Sequence, residues 1–86
     1  MRGSGYIYFW RKDDEAGNIR VCTGASAGPN VAFAFEECDK PLQKKLSQIN
    51  ISRRRECPPP DGAVLVAFDL TIDEEGDMVA TNISET

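Results

Sequence analysis

Gly5-Tyr6-Ile7-Tyr8-Phe9-Trp10-Arg11 places four aromatic side chains and one β-branched one in seven positions. Ring and β-branched side chains fit a pleated, half-buried surface, so the stretch reads as a β-strand. So much ring area either anchors a core or offers flat faces for something to stack on. Simple alternation across a pleat puts Tyr6, Tyr8 and Trp10 on one face and Ile7 and Phe9 on the other.

Strand one covers about Gly5 to Lys12, and Asp13 to Gly17 makes a turn. Asn18 to Cys22 then returns as a hairpin. Thr23 to Pro29 is small and Gly/Pro-punctuated, and reads as a loop. Asn30 to Phe35 alternates large and small residues, with Val31, Phe33 and Phe35 on one face and Ala32 and Ala34 on the other. Asp39 and Pro41 suit a helix start, and Leu42, Leu46 and Ile49 continue it as one apolar stripe of two to three turns. Ser52 to Cys57 is basic and irregular, and Pro58-Pro59-Pro60 stops regular structure. Ala63 to Ile72 is the longest strand, Asp73 to Asp77 a turn, and Met78 to Ile83 a fifth strand. Met1 to Ser4 reads as a tag remnant or a disordered start. The whole predicts an all-β domain over 1–86: a small five-stranded antiparallel Greek-key barrel. A short helix sits between strands three and four, within a long basic, Pro-rich connection over 39–61.

Composition agrees with one small globular domain. Of 86 residues, 41% are hydrophobic and 28% charged, too apolar for disorder. The longest apolar run, Ala63 to Phe68, is far below the roughly 20 residues of a membrane span. With no basic-then-apolar leader, a cytoplasmic location is expected. In that setting the glycosylation sequons at Asn50 and Asn82 carry no meaning, and Cys22, Cys38 and Cys57 are expected as reduced thiols. The chain has no His, so a zinc site would lack ligands and no metal or cofactor is expected. It also has no nucleophile elbow and no phosphate-cradling loop, which predicts a binding module and not an enzyme.

Net charge is −4 but unevenly spread. Asp39 to Arg55 holds six bases (Lys40, Lys44, Lys45, Arg53, Arg54, Arg55) against one acid, whereas Cys57 to Thr86 holds seven acids and no base. Screening beyond about 8 Å lets a basic patch act locally on an acidic protein. The acidic turn Asp73 to Asp77 lacks the ligand spacing of a calcium loop and reads as a solvated hairpin tip.

Gly5, Ile7, Asp13, Gly17 and Ile19, with Phe9-Trp10 as a swapped Trp-Phe pair, resemble the opening of a cold-shock domain. Val66, Phe68, Gly76, Ala80, Asn82 and Ile83 resemble its closing hairpin. The resemblance covers residues 5–35 and 62–84 and implies an OB-fold barrel that binds single-stranded RNA or DNA. It also implies that Phe9 and Trp10 both reach the binding surface. Where the family has its first ribonucleoprotein motif this chain reads Asp14-Glu15-Ala16-Gly17-Asn18. Where the family has the second, it reads Val31-Ala32-Phe33-Ala34-Phe35, so four stacking positions are gone and Phe35 keeps its ring.

The candidate nucleic-acid-binding residues are Tyr8, Phe9, Trp10, Arg11, Lys12 and Phe35 on the strands, with Lys44, Lys45, Arg53, Arg54 and Arg55 on the connection. Stacking rings beside cations are what a single-strand binder needs. Tyr8 and Trp10 are the rings expected at the surface, while plain core packing also accounts for Phe9 and Phe33. The basic run also fits a merely solvated loop. The alternative is a protein-interaction or homodimerisation module, in which Tyr6, Tyr8 and Trp10 join Ala32 and Ala34 in one flat apolar face.

Overall fold

A computed structural model of the chain describes residues 2–23 and 26–86, and the side chains outside 23–29. Its elements are β1 (Arg2–Arg11), β2 (Ala16–Thr23), β3 (Ser26–Ala34), a 3-10 turn (Phe35–Glu37), α1 (Lys40–Leu46), β4 (Ile51–Ser52), β5 (Val64–Ile72) and β6 (Met78–Glu85). Five of the strands close on themselves in the order β1–β2–β3–β6–β5 and back to β1. This is an OB-like all-β barrel, with the helix between β3 and the next barrel strand. β4 is a two-residue addition: it pairs with Phe9 and Trp10 on the edge of β1 that β5 leaves at Ile7.

An odd ring cannot alternate strand direction all the way round. One pairing must be parallel, and it is β3–β6, with Ala32 opposite Val79. The other ring pairings are antiparallel, as expected. The loop expected over Thr23 to Pro29 falls partly on residues 24 and 25, outside the described residues; β2 reaches Thr23 and β3 begins at Ser26. The chain start differs from the expected loose remnant. Arg2 lies opposite Asp69 in β1–β5, pairs with its carboxylate at 3.4 Å and donates to the Asn82 carbonyl at 2.9 Å.

The barrel interior is filled by Ile7, Trp10, Ile19, Val31, Phe33, Val66, Phe68 and Ile83, all at 5% exposure or less. Gly17 faces inward between Trp10 and Phe33. A Cβ there would lie 2.3 Å from the Phe9 carbonyl oxygen and 3.0 Å from both rings, so only glycine leaves room for their stack.

α1 closes one end of the barrel. Asp39 caps it by accepting from the Leu42 N–H at 3.1 Å, Pro41 sits in its first turn, and Leu42 and Leu46 are fully buried. The helix stops at Leu46, so Ile49 is not on its stripe and stands 37% exposed. Among the described residues, no helix is long and apolar enough to cross a membrane.

Candidate nucleic-acid interface

The pairing of β1 with β2 slips once. Ile7 faces Ile19 and Phe9 faces Asn18, so β1 spends two steps where β2 spends one. The extra residue is Tyr8, a β-bulge that reverses which way the following side chains point. Before it, Gly5 and Ile7 face the core and Tyr6 faces out; after it, Phe9 and Arg11 face out and Trp10 faces in. The simple alternation that grouped Tyr6, Tyr8 and Trp10 therefore fails at Tyr8.

Trp10, expected at the surface, is instead fully buried. Its ring stacks on Phe33 at 5.4 Å and on Phe35 at 6.1 Å, and its indole N–H donates to the Leu46 carbonyl at 2.8 Å. That bond satisfies an end carbonyl of α1 which the helix itself cannot. Phe35, half-buried, packs against the core through the same stack and is not a free platform.

Tyr6 is also fully buried, but from outside. Its register partner Leu65 is 43% exposed, so the pair lies on the outer face, and a strap of residues 53–57 covers the tyrosine. The phenol donates to the Glu56 carbonyl at 2.7 Å, with the Arg54 carbonyl at 3.2 Å sharing that one proton, and accepts from the Glu56 N–H at 2.8 Å. The Arg53 N–H donates to the Tyr8 carbonyl at 2.8 Å, and the Arg53 guanidinium reaches the Gly62 carbonyl at 3.3 Å.

Cys57, at the strap's far end, is bonded to Cys22 on β2 with Cα atoms 5.6 Å apart. This overturns the expectation of reduced thiols at both positions. The chain path brings the two together across 35 residues of sequence, a meeting that no short spacing announces. Cys38 alone is a free thiol, buried, with its pKa pushed up to about 12 by burial first and by the nearby Asp39 and Glu37 charges second.

The strap brings expected partners together. Its arginines, Arg53, Arg54 and Arg55, are exposed; Arg53 is bonded to the Tyr8 carbonyl and follows Ser52, the partner of Phe9, while Arg54 meets Tyr6. Directly opposed residues share a face, so Ser52, Phe9, Asn18, Ala32 and Val79 form one outward row across β4, β1, β2, β3 and β6. Arg11, Ala16 and Ala34 form the next. The Arg11 guanidinium lies 5.4 Å from the Phe9 ring centroid, and the Asn50 side chain holds the Lys12 N–H at 3.0 Å.

The other candidates sit elsewhere. Lys44 and Lys45 ride on the last turn of α1, and Lys45 is paired with Glu85 at 2.6 Å. The flat face of Tyr6, Tyr8 and Trp10 beside Ala32 and Ala34 does not form, because Trp10 is inside and Tyr6 is under the strap. Tyr6, Asn50 and the Cys22–Cys57 pair are the positioning groups that sequence reasoning missed. Only the tyrosine carried a signal, as a polar-tipped ring on a strand. Among the described residues, no group of three or more His, Cys, Asp or Glu is arranged to hold a metal ion.

No known protein family matches the chain, and no curated protein matches it. The surface must be read from its own chemistry. It offers one accessible ring already shared with a cation, a second ring at the bulge, five cations over Arg11, Lys12 and Arg53–Arg55, and a floor of small side chains. Such a surface can hold an extended anion against the sheet.

Proposed function

We propose that the chain is a non-catalytic module that binds single-stranded RNA or DNA weakly, with Phe9 and Tyr8 as stacking rings and Arg11, Lys12 and Arg53–Arg55 on phosphates. The observation that carries this reading is the strap, an exposed run of three arginines tied to β1 at Tyr8 through Arg53 and at Tyr6 through Arg54 and Glu56. A likeness to cold-shock domains belongs to the same proposal, with the stacking reduced to these two half-buried rings. At roughly 1–3 kcal/mol per stacked base, two rings support an affinity well below that of a full platform. The Cys22–Cys57 bond favours an oxidising compartment over the cytoplasm as the place where the ligand is met.

Anisotropy of a labelled oligonucleotide, titrated over a range of salt, tests the reading. Five phosphate contacts on a single strand imply a log–log salt slope of about −3.5, and replacing Arg53, Arg54 and Arg55 together with Ala should flatten it by about 2. Phe9→Ala should weaken binding by about 1–3 kcal/mol with the slope unchanged. Absence of binding at low salt and high protein concentration would reject it.

One observation favours a second reading, a protein partner. Between β3 and β6 the barrel seam is held by a single register pair, and an apolar cleft of about 340 Å³ opens there beside Ala32, Ala34 and Val79, with Glu36 and Glu37 at its rim. Acids at that rim repel phosphate, so chemical-shift changes confined to Ala32, Ala34 and Val79 on adding a protein ligand would support this reading over the first.

A further inference from the structure

The core-facing row of β5 runs Val66, Phe68, Leu70, Ile72. The first two are buried and Leu70 packs against the core, but Ile72 is 65% exposed. Its cross-strand partner Met78 is 37% exposed, while the next residue of that row on β6, Ala80, is buried. The apolar row of the β5–β6 hairpin thus continues past the end of the barrel and leaves two large side chains in water. Beyond them the turn carries Asp73, Glu74, Glu75 and Asp77. Asp73 is spent on the turn, accepting from the N–H groups of Glu75 and Asp77. Among the described residues, the other three acids have no ion-pair partner.

At the opposite end of β5 lies the complement. A cleft of about 370 Å³ opens where β4 takes over from β5 on the edge of β1, lined by Ile49, Ile51 and Val64 together with Asn50, Ser52, Gly62 and Arg53. Arg54 and Arg55 follow on the strap and, like Arg53, have no carboxylate partner among the described residues. The tip is apolar with an acidic end, and the cleft has an apolar part at Ile49, Ile51 and Val64 and a basic edge at Arg53. Nine residues of β5 hold them roughly 26 Å apart, so they cannot meet within one copy.

We propose that this chain self-associates, the hairpin tip of one copy seating Ile72 and Met78 in the cleft of a second copy, with Glu74, Glu75 and Asp77 against Arg53 and Arg54. The inference does not rest on nucleic-acid binding, and its test is run without oligonucleotide.

The test is a charge exchange read by sedimentation velocity at low salt. Wild type should associate, and added salt should weaken the association. A cleft variant (Arg53→Glu with Arg54→Glu) and a tip variant (Glu74→Lys with Glu75→Lys) should each sediment as a monomer. Mixed one to one, they should associate again, because each then meets a partner of opposite sign. Ile72→Ser should raise the dissociation constant about ten- to a hundredfold, as loss of one buried aliphatic contact implies. All these positions are exposed, so far-UV circular dichroism should match wild type. A monomeric wild type, a single variant that associates like wild type, or a mixture of folded variants that stays monomeric would each overturn the contact.

Discussion

β1 sends a polar-tipped ring to each side of the barrel wall, and each ring fastens an excursion of the same connection. On the inside, Trp10 holds α1 through the Leu46 carbonyl, in a setting of Phe33, Phe35, Leu42 and Leu46. On the outside, Tyr6 holds the basic strap through Arg54 and Glu56, its ring buried beneath the strap but apart from the core cluster, with a disulfide at the strap's end. The lid is fastened by hydrophobic area and the strap by hydrogen bonds and one covalent link. Burial of rings and aliphatics makes a fold, whereas the strap's contacts chiefly fix where three arginines stand. Stability should therefore depend most on the inside of β1 and surface chemistry on the outside.

The largest expected effect is on the inside. Trp10→Ala removes two ring stacks and the bond to α1, and should cost about 3–5 kcal/mol. That is a large share of the 5–15 kcal/mol typical of whole proteins. Urea denaturation should find the variant unfolded or nearly so in buffer. A loss under about 1 kcal/mol would show that α1 does not depend on the core ring.

Opening the disulfide comes next. Replacing Cys22 and Cys57 with Ser frees a 35-residue loop and should cost about 2–4 kcal/mol. Unlike Trp10→Ala, it should leave the near-ultraviolet spectrum of the buried indole unchanged, since the strap lies outside the core. If both signals are lost together, strap and lid are one cooperative unit.

Tyr6→Phe sharpens the outside half. The ring area stays, but the phenol's hydrogen bonds to the strap are lost, with an expected cost of about 1–3 kcal/mol. Hydrogen exchange at the Glu56 amide should speed up while exchange at the amides paired across Ile19 and Val31 stays slow.

The barrel was legible because its strands carry alternating patterns and its turns carry Gly and Asp clusters: Val31 and Phe33 share one face of β3, as their alternation with Ala32 and Ala34 predicts, and that face is the core. The site was legible only in part. The basic run was visible in the sequence, but neither its place beside β1 nor the strand's facing was, because a bulge is set by the pairing of two strands and leaves no mark in either. One extra residue at Tyr8 exchanged Trp10 for Phe9 at the surface. The Cys22–Cys57 pair was hidden for a related reason: it depends on the path of the strap across β1, which Pro58 to Pro60 does not foretell. Ile49 matched the helical stripe by spacing alone, and a helix that ends at Leu46 leaves it outside.

The smallest effect concerns the third cysteine and belongs to the lid side. Cys38 is 6% exposed, bridges to Ile83 and directs its thiol to the Ala34 carbonyl at 3.9 Å. Burial, with Asp39 and Glu37 adding to it, pushes its pKa up to about 12 from an ordinary value of 9.0. The folded state thus holds the proton more tightly than the unfolded chain. Its contribution to stability is complete below about pH 9 and is lost as pH rises toward about 12. A thiol held neutral is also a poor nucleophile. Native protein at pH 8 should therefore react with a thiol reagent extremely slowly. After mild reduction, two further thiols, Cys22 and Cys57, should label quickly while Cys38 stays protected until denaturant is added. Cys38→Ala should abolish the part of the alkaline stability loss that falls between pH 9 and 12, with a shift in the urea midpoint smaller than any of those above. If Cys38 labels as fast as the reduced strap pair, the lid side is open to water, and the contrast between a buried fastening and an exposed one no longer holds.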